Sequence, residues 1–135
     1  MPIVDIELVC RSGAEFAGTS ARRLADSLGQ VFGSEPGHTW VRLRFLDSTA
    51  YAENHSNVGD GELPAFVTVL HAHPPLGESL TAEVMRVTVA VAQCLARAPE
   101  RVHVQYAPTG AGRQAFGGRL VPKRGMLHRF PTTPK

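Results

Sequence analysis

Pro2 is the first residue whose type and place could do chemistry. A proline directly after the initiating methionine normally becomes the amino terminus when Met1 is removed. Its ring nitrogen is then a secondary amine and no longer an amide. Held in place and unprotonated, such an amine acts as a general base or a nucleophile. Burial and neighbouring cations both push its pKa down. Arg42 and Arg44 stand two apart, so on a strand they share a face. A guanidinium grips a carboxylate through two parallel hydrogen bonds, which makes Arg42 a candidate carboxylate clamp. Arg11 is a weaker candidate for the same task. Solvated surface charge is the competing reading of all three. His103 and Gln105 also alternate along one strand face, while His71 and His73 close another strand. No third ligand has the spacing of a zinc site around the histidines, so no metal is expected. The stretch Gly110-Ala111-Gly112-Arg113 lacks the Lys-Ser/Thr of a phosphate loop and does not join a strand to a helix. No nucleotide is expected there. Cys10 and Cys94 read as reduced packing residues.

The elements that must position these groups come from an internal repeat. Shifted by 63 positions, Pro2–Leu8 falls on Ala65–His71, and Pro36–Arg42 falls on Pro99–Gln105. Identities are few; the pattern of residue types is what repeats. Ile3, Val4, Ile6 and Leu8 mark a short strand. Ser12-Gly13-Ala14 reads as a loop. Between Ser20 and Phe32, Ala21, Leu24, Ala25, Leu28, Val31 and Phe32 have helical spacing, with Thr19 or Ser20 as N-cap and Gly33 as stop. Thr39–Leu46 alternates as a strand, Val41, Leu43 and Phe45 to one side and Trp40, Arg42 and Arg44 to the other. Glu53–Glu62 is a polar linker. A strand at Phe66–Leu70, a helix over Ser79–Ala98 and a strand at Val102–Tyr106 complete the second copy. Pro108–Gly118 is a glycine-rich loop.

These elements predict an α+β fold in two layers. Tandem β-α-β units over 2–46 and 65–107 make a four-stranded mixed sheet with both helices on one face, in a single domain over 1–121. Residues 122–135 read as an extended or disordered arm. Helices on one face leave the other uncovered, which predicts burial against further subunits.

Composition is in keeping with that fold. The 135 residues are 43% hydrophobic and 19% charged, which suits a packed globular chain. A net charge of +2 is too small to argue for nucleic acid. No apolar run reaches a membrane span and no secretory leader is visible, so a cytoplasmic location is expected.

Together, Met1-Pro2, the repeat, the opening Pro2-Ile3-Val4-Asp5-Ile6 with Arg11-Ser12, and Thr39-Trp40-Val41-Arg42-Leu43 resemble the tautomerase superfamily, there the 4-oxalocrotonate tautomerase group. Pro99–Tyr106, with Phe116 following in the glycine-rich loop, is similar to the macrophage migration inhibitory factor group. The resemblance implies a cofactor-free isomerase acting on a small 2-oxo or 2-hydroxy-dienoic acid. Pro2 would be the base and Arg42 the carboxylate binder. His103 and Gln105 match positions that reach in from a neighbouring subunit, and His73 one that contacts the ligand near the proline. Arg11 and Phe116 complete the implied substrate-binding set. A homotrimer with its sheets closed into a barrel is implied as well. Two departures stand out: the second group's lysine is absent, with Ser34 near its place, and its tyrosine is replaced by His103. A decarboxylase, a hydratase or dehalogenase, and a non-catalytic ligand- or partner-binding trimer are the alternatives on the same fold.

Overall fold

The structure, a computed structural model, describes residues 1–11, 20–58 and 63–123. The loop at Ser12-Gly13-Ala14, the cap candidate Thr19, the last part of the linker and the arm from residue 124 lie outside the described residues. Chain order is β1 (Ile3–Cys10), α1 (Ala21–Phe32), β2 (Trp40–Asp47), β3 (Ala65–Leu70), α2 (Gly77–Leu95) and β4 (Val102–Tyr106). Short strands β5 (Ala115–Phe116) and β6 (Arg119–Leu120) follow.

The sheet order is β2-β1-β3-β4. Each repeat supplies a parallel pair, β1 with β2 and β3 with β4, and the two copies join antiparallel through β1 and β3. The strands alternate, β1 as far as Leu8, after which Val9 and Cys10 are buried as well. Val4, Ile6 and Leu8 of β1, with Ala65, Val67 and Val69 of β3, face the helices and are buried. Against them pack Leu24 and Leu28 of α1 and Val87, Val91 and Leu95 of α2. The four-residue spacing of Leu24 and Leu28, and of Val87, Val91 and Leu95, places each set on one helical stripe. Burial of such side chains contributes roughly 1.5–3 kcal/mol each. Ser20 caps α1, its hydroxyl accepting the Arg23 N–H at 3.2 Å, and Gly33 ends it at φ 64°. That backbone conformation favours glycine.

Two expectations need correction. First, α2 runs two residues earlier at its start and stops at Leu95 rather than Ala98. Ala96 turns left-handed at φ 54°, and Arg97 leaves the helix to donate to the carbonyls of Leu63 and Val9, both at 3.0 Å. Long-range contact overrides local periodicity there. Second, the stretch read as a glycine-rich loop ends in a hairpin that runs past it: β5 pairs with β6 across Gly117 and Gly118, both at positive φ. The open sheet face mixes large apolar and polar side chains, as the alternation of Trp40 with Arg42 and Arg44 predicts. Ile3, Trp40, Phe66 and Leu70 share it with Asp5, Glu7, Arg42, Arg44, Thr68, His103 and Gln105. Trp40 and Phe66 are 38% and 36% exposed. Among the described residues no helix is long and apolar enough to cross a membrane.

Candidate active site

Strand directions bring the starts of β1 and β2 together with the ends of β3 and β4. Pro2 lies at that end and is buried. Its carbonyl accepts the Trp40 N–H at 3.1 Å, which ties the head of β1 to the head of β2. The Trp40 ring packs on Phe116, centroids 4.6 Å apart, so the β5-β6 hairpin folds back over the same end. The loop leading into that hairpin is held there by backbone bonds. Gly110 N–H donates to the His71 carbonyl at 2.9 Å and Ala111 N–H to that of Ala72 at 3.1 Å. His71 Nδ1 accepts the His73 N–H at 3.1 Å, and the His71 ring meets Phe32 edge-on at 5.7 Å.

His73 lines a cavity of about 490 Å³ with Thr109, Ala111, Arg113 and Lys123. A second cavity of about 230 Å³, walled by Leu70, Ala107, Gln114 and also Arg113, adjoins it. Arg113, Gln114 and Lys123 were not singled out from the sequence. The signal was present: an Arg-Gln pair in a glycine-rich turn just before Phe116. Gln114 is buried with neither amide atom hydrogen-bonded, at a cost of about 1–3 kcal/mol for each group left unsatisfied.

Arg42 is further from Pro2. Level with Asp5, it lies three residues along the strands, roughly 10 Å. Its Nε donates to Asp5 Oδ1 at 2.5 Å and its terminal nitrogen to Oδ2 at 2.8 Å. Arg44 is 4.0 Å from the same carboxylate. Hydrogen bonding from Arg42 holds the Asp5 carboxyl below its usual range against the opposing effect of desolvation, and both arginine charges add to it. The same pairing raises Arg42. The guanidinium thus faces the open side of the sheet with a carboxylate already in its grip.

His103 and Gln105 are elsewhere. His103 is level with Phe66 and hence with Glu7. That is five residues from Pro2, roughly 16 Å along the strand direction alone. Its ring lies 5.5 Å from Phe66, and Gln105 donates its amide to Thr68 Oγ1 at 3.2 Å. Glu53 stands near His103 and accepts from Tyr51 and Arg101, both at 2.5 Å; the Tyr51 bond first, then Arg101, lowers its pKa. Arg11 is further still, beyond the far end of β1, where it donates to the Val58 carbonyl at 3.4 Å. Within one chain, therefore, Pro2, His73 and Phe116 gather at one end. Arg42 lies midway, Gln105 is level with it at the other edge of the sheet, and His103 and Arg11 stand apart.

No family model matches the chain, and no curated protein sequence does. Solved structures do match. A fused 4-OT that is a symmetric trimer superimposes with a TM-score of 0.65 at 14% identity, over 88% of this chain and 94% of that one. Malonate semialdehyde decarboxylase gives 0.59 at 15% identity, over 85% and 90%. The macrophage migration inhibitory factor of Oncomelania hupensis gives 0.63 at 18% identity, over 96% and 86%. The chain has the tautomerase-superfamily fold. Its tandem β-α-β units, mixed sheet and one-sided helices are those of the fold, and the fold is all that identities this low establish. Tautomerase-fold neighbours differ in their reactions, so the activity has to be argued from the site.

Proposed function

We propose that the protein is a tautomerase whose base is Pro2 after loss of Met1. The observation that carries this reading is Pro2 itself: a buried residue at the head of a central strand, its carbonyl fixed by Trp40. Loss of Met1 turns its nitrogen into a secondary amine at the end of the sheet where Trp40, Phe116 and the cation-lined cavity meet. Burial disfavours the ammonium form and so favours the free base.

The reaction follows from that base. Neutral Pro2 takes a proton from the carbon next to a carbonyl and returns it elsewhere on the conjugated chain, which shifts a double bond or interconverts keto and enol forms. The substrate is a small 2-oxo or 2-hydroxy-dienoic acid, and the scheme asks for no cofactor. Arg42 holds its carboxylate in the two-bond geometry that it already makes with Asp5. Arg42 or His103 stabilises the enolate oxygen. Distance within one chain supports a site shared between subunits, since His103 is too remote to serve its own Pro2. A homotrimer like the fused 4-OT of the same fold meets that need. The decarboxylase likeness supports a second reading, in which Pro2 works protonated.

One experiment addresses base, access and Met1 together. Intact mass first establishes whether Met1 is absent. The protein is then treated with 2-oxo-3-pentynoate, the inactivator of the similar protein Pt0534. A nucleophilic Pro2 amine adds to the conjugated alkyne, so one adduct per chain on Pro2 and loss of activity are expected. Full activity with Met1 retained overturns the reading. A pH profile of kcat/KM separates base from acid: activity rises through the Pro2 pKa for a base and falls for an acid.

A further inference from the structure

His103 belongs to a closed circuit of contacts. Its ring lies 5.5 Å from that of Phe66, and the Phe66 ring lies 6.0 Å from that of Tyr51. The Tyr51 hydroxyl donates to Glu53 Oε2 at 2.5 Å. Arg101 donates to the same oxygen, also at 2.5 Å. Arg101 stands two residues before His103, and Val102 between them is extended, at φ −105° and ψ 118°. The side chains of residues 101 and 103 therefore leave the backbone on one side, and the circuit closes. Its backbone is tied at each turn. Tyr51 N–H donates to the Ser48 carbonyl at 3.2 Å, Ser56 N–H to that of Glu53 at 3.3 Å and Arg101 N–H to that of Ala98 at 2.9 Å. The Glu53–Arg101 pair is half-buried, and charge-assisted bonds shielded in this way are stronger than those of a solvated surface pair. The 63-residue repeat supplies an independent view of the same cluster. It sets His103 in the slot of Trp40 and Phe116 in the slot of Glu53. Trp40 packs on Phe116 at the Pro2 end. Glu53 with His103 is the counterpart of that pair at the opposite end of the sheet, with an acid where the other end has a phenyl ring.

We propose that Glu53 is a positioning residue: by gripping Tyr51 and Arg101 it fixes the His103 ring on the open face, where that ring serves the Pro2 of a neighbouring subunit. The proposal rests on the reading of Pro2 and His103 given above. Glu53 touches no reacting atom in this scheme. An exposed imidazole samples several rotamers unless its surroundings select one. Placing an oxyanion donor wrongly by about 1 Å costs roughly 100-fold in rate. Phe66 gives the ring a wall, and the Tyr51-Glu53-Arg101 bonds keep that wall and the start of β4 in register. Because Glu53 and His103 sit in one chain, both serve the Pro2 of another.

The test combines subunit mixing with NMR on the full-length protein. Glu53→Ala should lower kcat about tenfold and leave KM within about twofold. Glu53→Gln keeps an oxygen for Tyr51 and Arg101 and should recover most of that loss. Glu53→Ala refolded in equal amounts with Pro2→Ala should regain roughly a quarter of wild-type activity, since one site in about four draws Pro2 and Glu53 from intact chains. Glu53→Ala refolded with His103→Ala should do no better than the average of the two parents, because every chain then carries a damaged His103 arm. The reverse pattern would place Glu53 beside its own Pro2 and overturn the proposal. In Glu53→Ala the contact between the His103 and Phe66 ring protons should weaken, whereas an unchanged contact overturns the proposal whatever the activity. If Glu53→Ala does not fold, Tyr51→Phe removes one bond of the circuit, keeps the ring, and takes its place in both measurements. A mixture of Pro2→Ala with His103→Ala is run alongside. If that mixture fails to recover, the shared proline site is at fault, and the ring contact alone then judges Glu53.

Discussion

Asp5 and Arg42, 37 residues apart in the chain, are joined by two parallel hydrogen bonds across neighbouring strands. Parallel register sets Asp5 level with Arg42, and both side chains emerge on the open face. A carboxylate that binds the Nε edge of Arg42 must displace one already there, so Asp5 is expected to tune affinity. In Asp5→Asn the competition weakens, and KM for a carboxylate substrate should fall severalfold with kcat nearly constant. A rise in KM would show that Asp5 instead holds Arg42 in place for substrate.

The same pair has a pH signature. The folded-state pKa of Asp5 is depressed, so its contribution to stability is present above the unfolded value of about 3.9. It is lost as pH falls through the lower folded value. Arg42→Gln should return the Asp5 pKa toward the ordinary value, followed by the carboxyl carbon shift in an NMR titration. An unchanged Asp5 titration would mean that the pair does not persist in solution.

A shared site predicts complementation. Pro2→Ala should lower isomerase activity at least about tenfold, and His103→Ala should impair it through a different chain. Denaturing the two variants together and refolding them in equal amounts gives trimers in which roughly one site in four has both intact groups. Activity near a quarter of the wild-type value is expected after mixing. Recovery no greater than the average of the two parents would argue against shared sites, as would an active species of monomer mass by light scattering.

Tyr106 on β4 donates its hydroxyl to the buried carboxylate of Glu83 on α2 at 2.5 Å. Tyr106→Phe leaves that carboxylate without this donor and should destabilise the fold by about 1–3 kcal/mol, read by urea unfolding. Burial first, then the Glu83 bond, raises the Tyr106 pKa. The resulting stability is intact below the unfolded value of about 10 and declines as pH rises beyond it. In Tyr106→Phe that alkaline decline should shrink.

Leu28 is fully buried in the core that α1 and α2 form with the sheet. Leu28→Ala should cost about 2–5 kcal/mol, from lost transfer energy plus the cavity left behind. A loss below about 1 kcal/mol in chemical denaturation would show that the helices can close the gap.

The elements and their faces were legible in the order of residues alone. Leu24 and Leu28 recur at helical spacing, Val41, Leu43 and Phe45 alternate against Arg42 and Arg44, and the 63-residue repeat doubles the pattern. Periodicity is local information: whether a residue faces the core depends on neighbours two to four positions away. Pro2 and Arg42 could be singled out by type and place, and His73 and Phe116 through the family resemblance. What they touch could not. That Arg42 is gripped by Asp5 depends on the register between β1 and β2. That His103 lies far from its own Pro2 depends on the antiparallel joint between β1 and β3. Gln114 looks like an exposed loop amide in the sequence and is buried because the turn from Gly110 to Val121 closes over the end of β3. Register and loop closure are decided by contacts between residues tens of positions apart, where many pairings satisfy the same local pattern and only packing of the whole chain selects one.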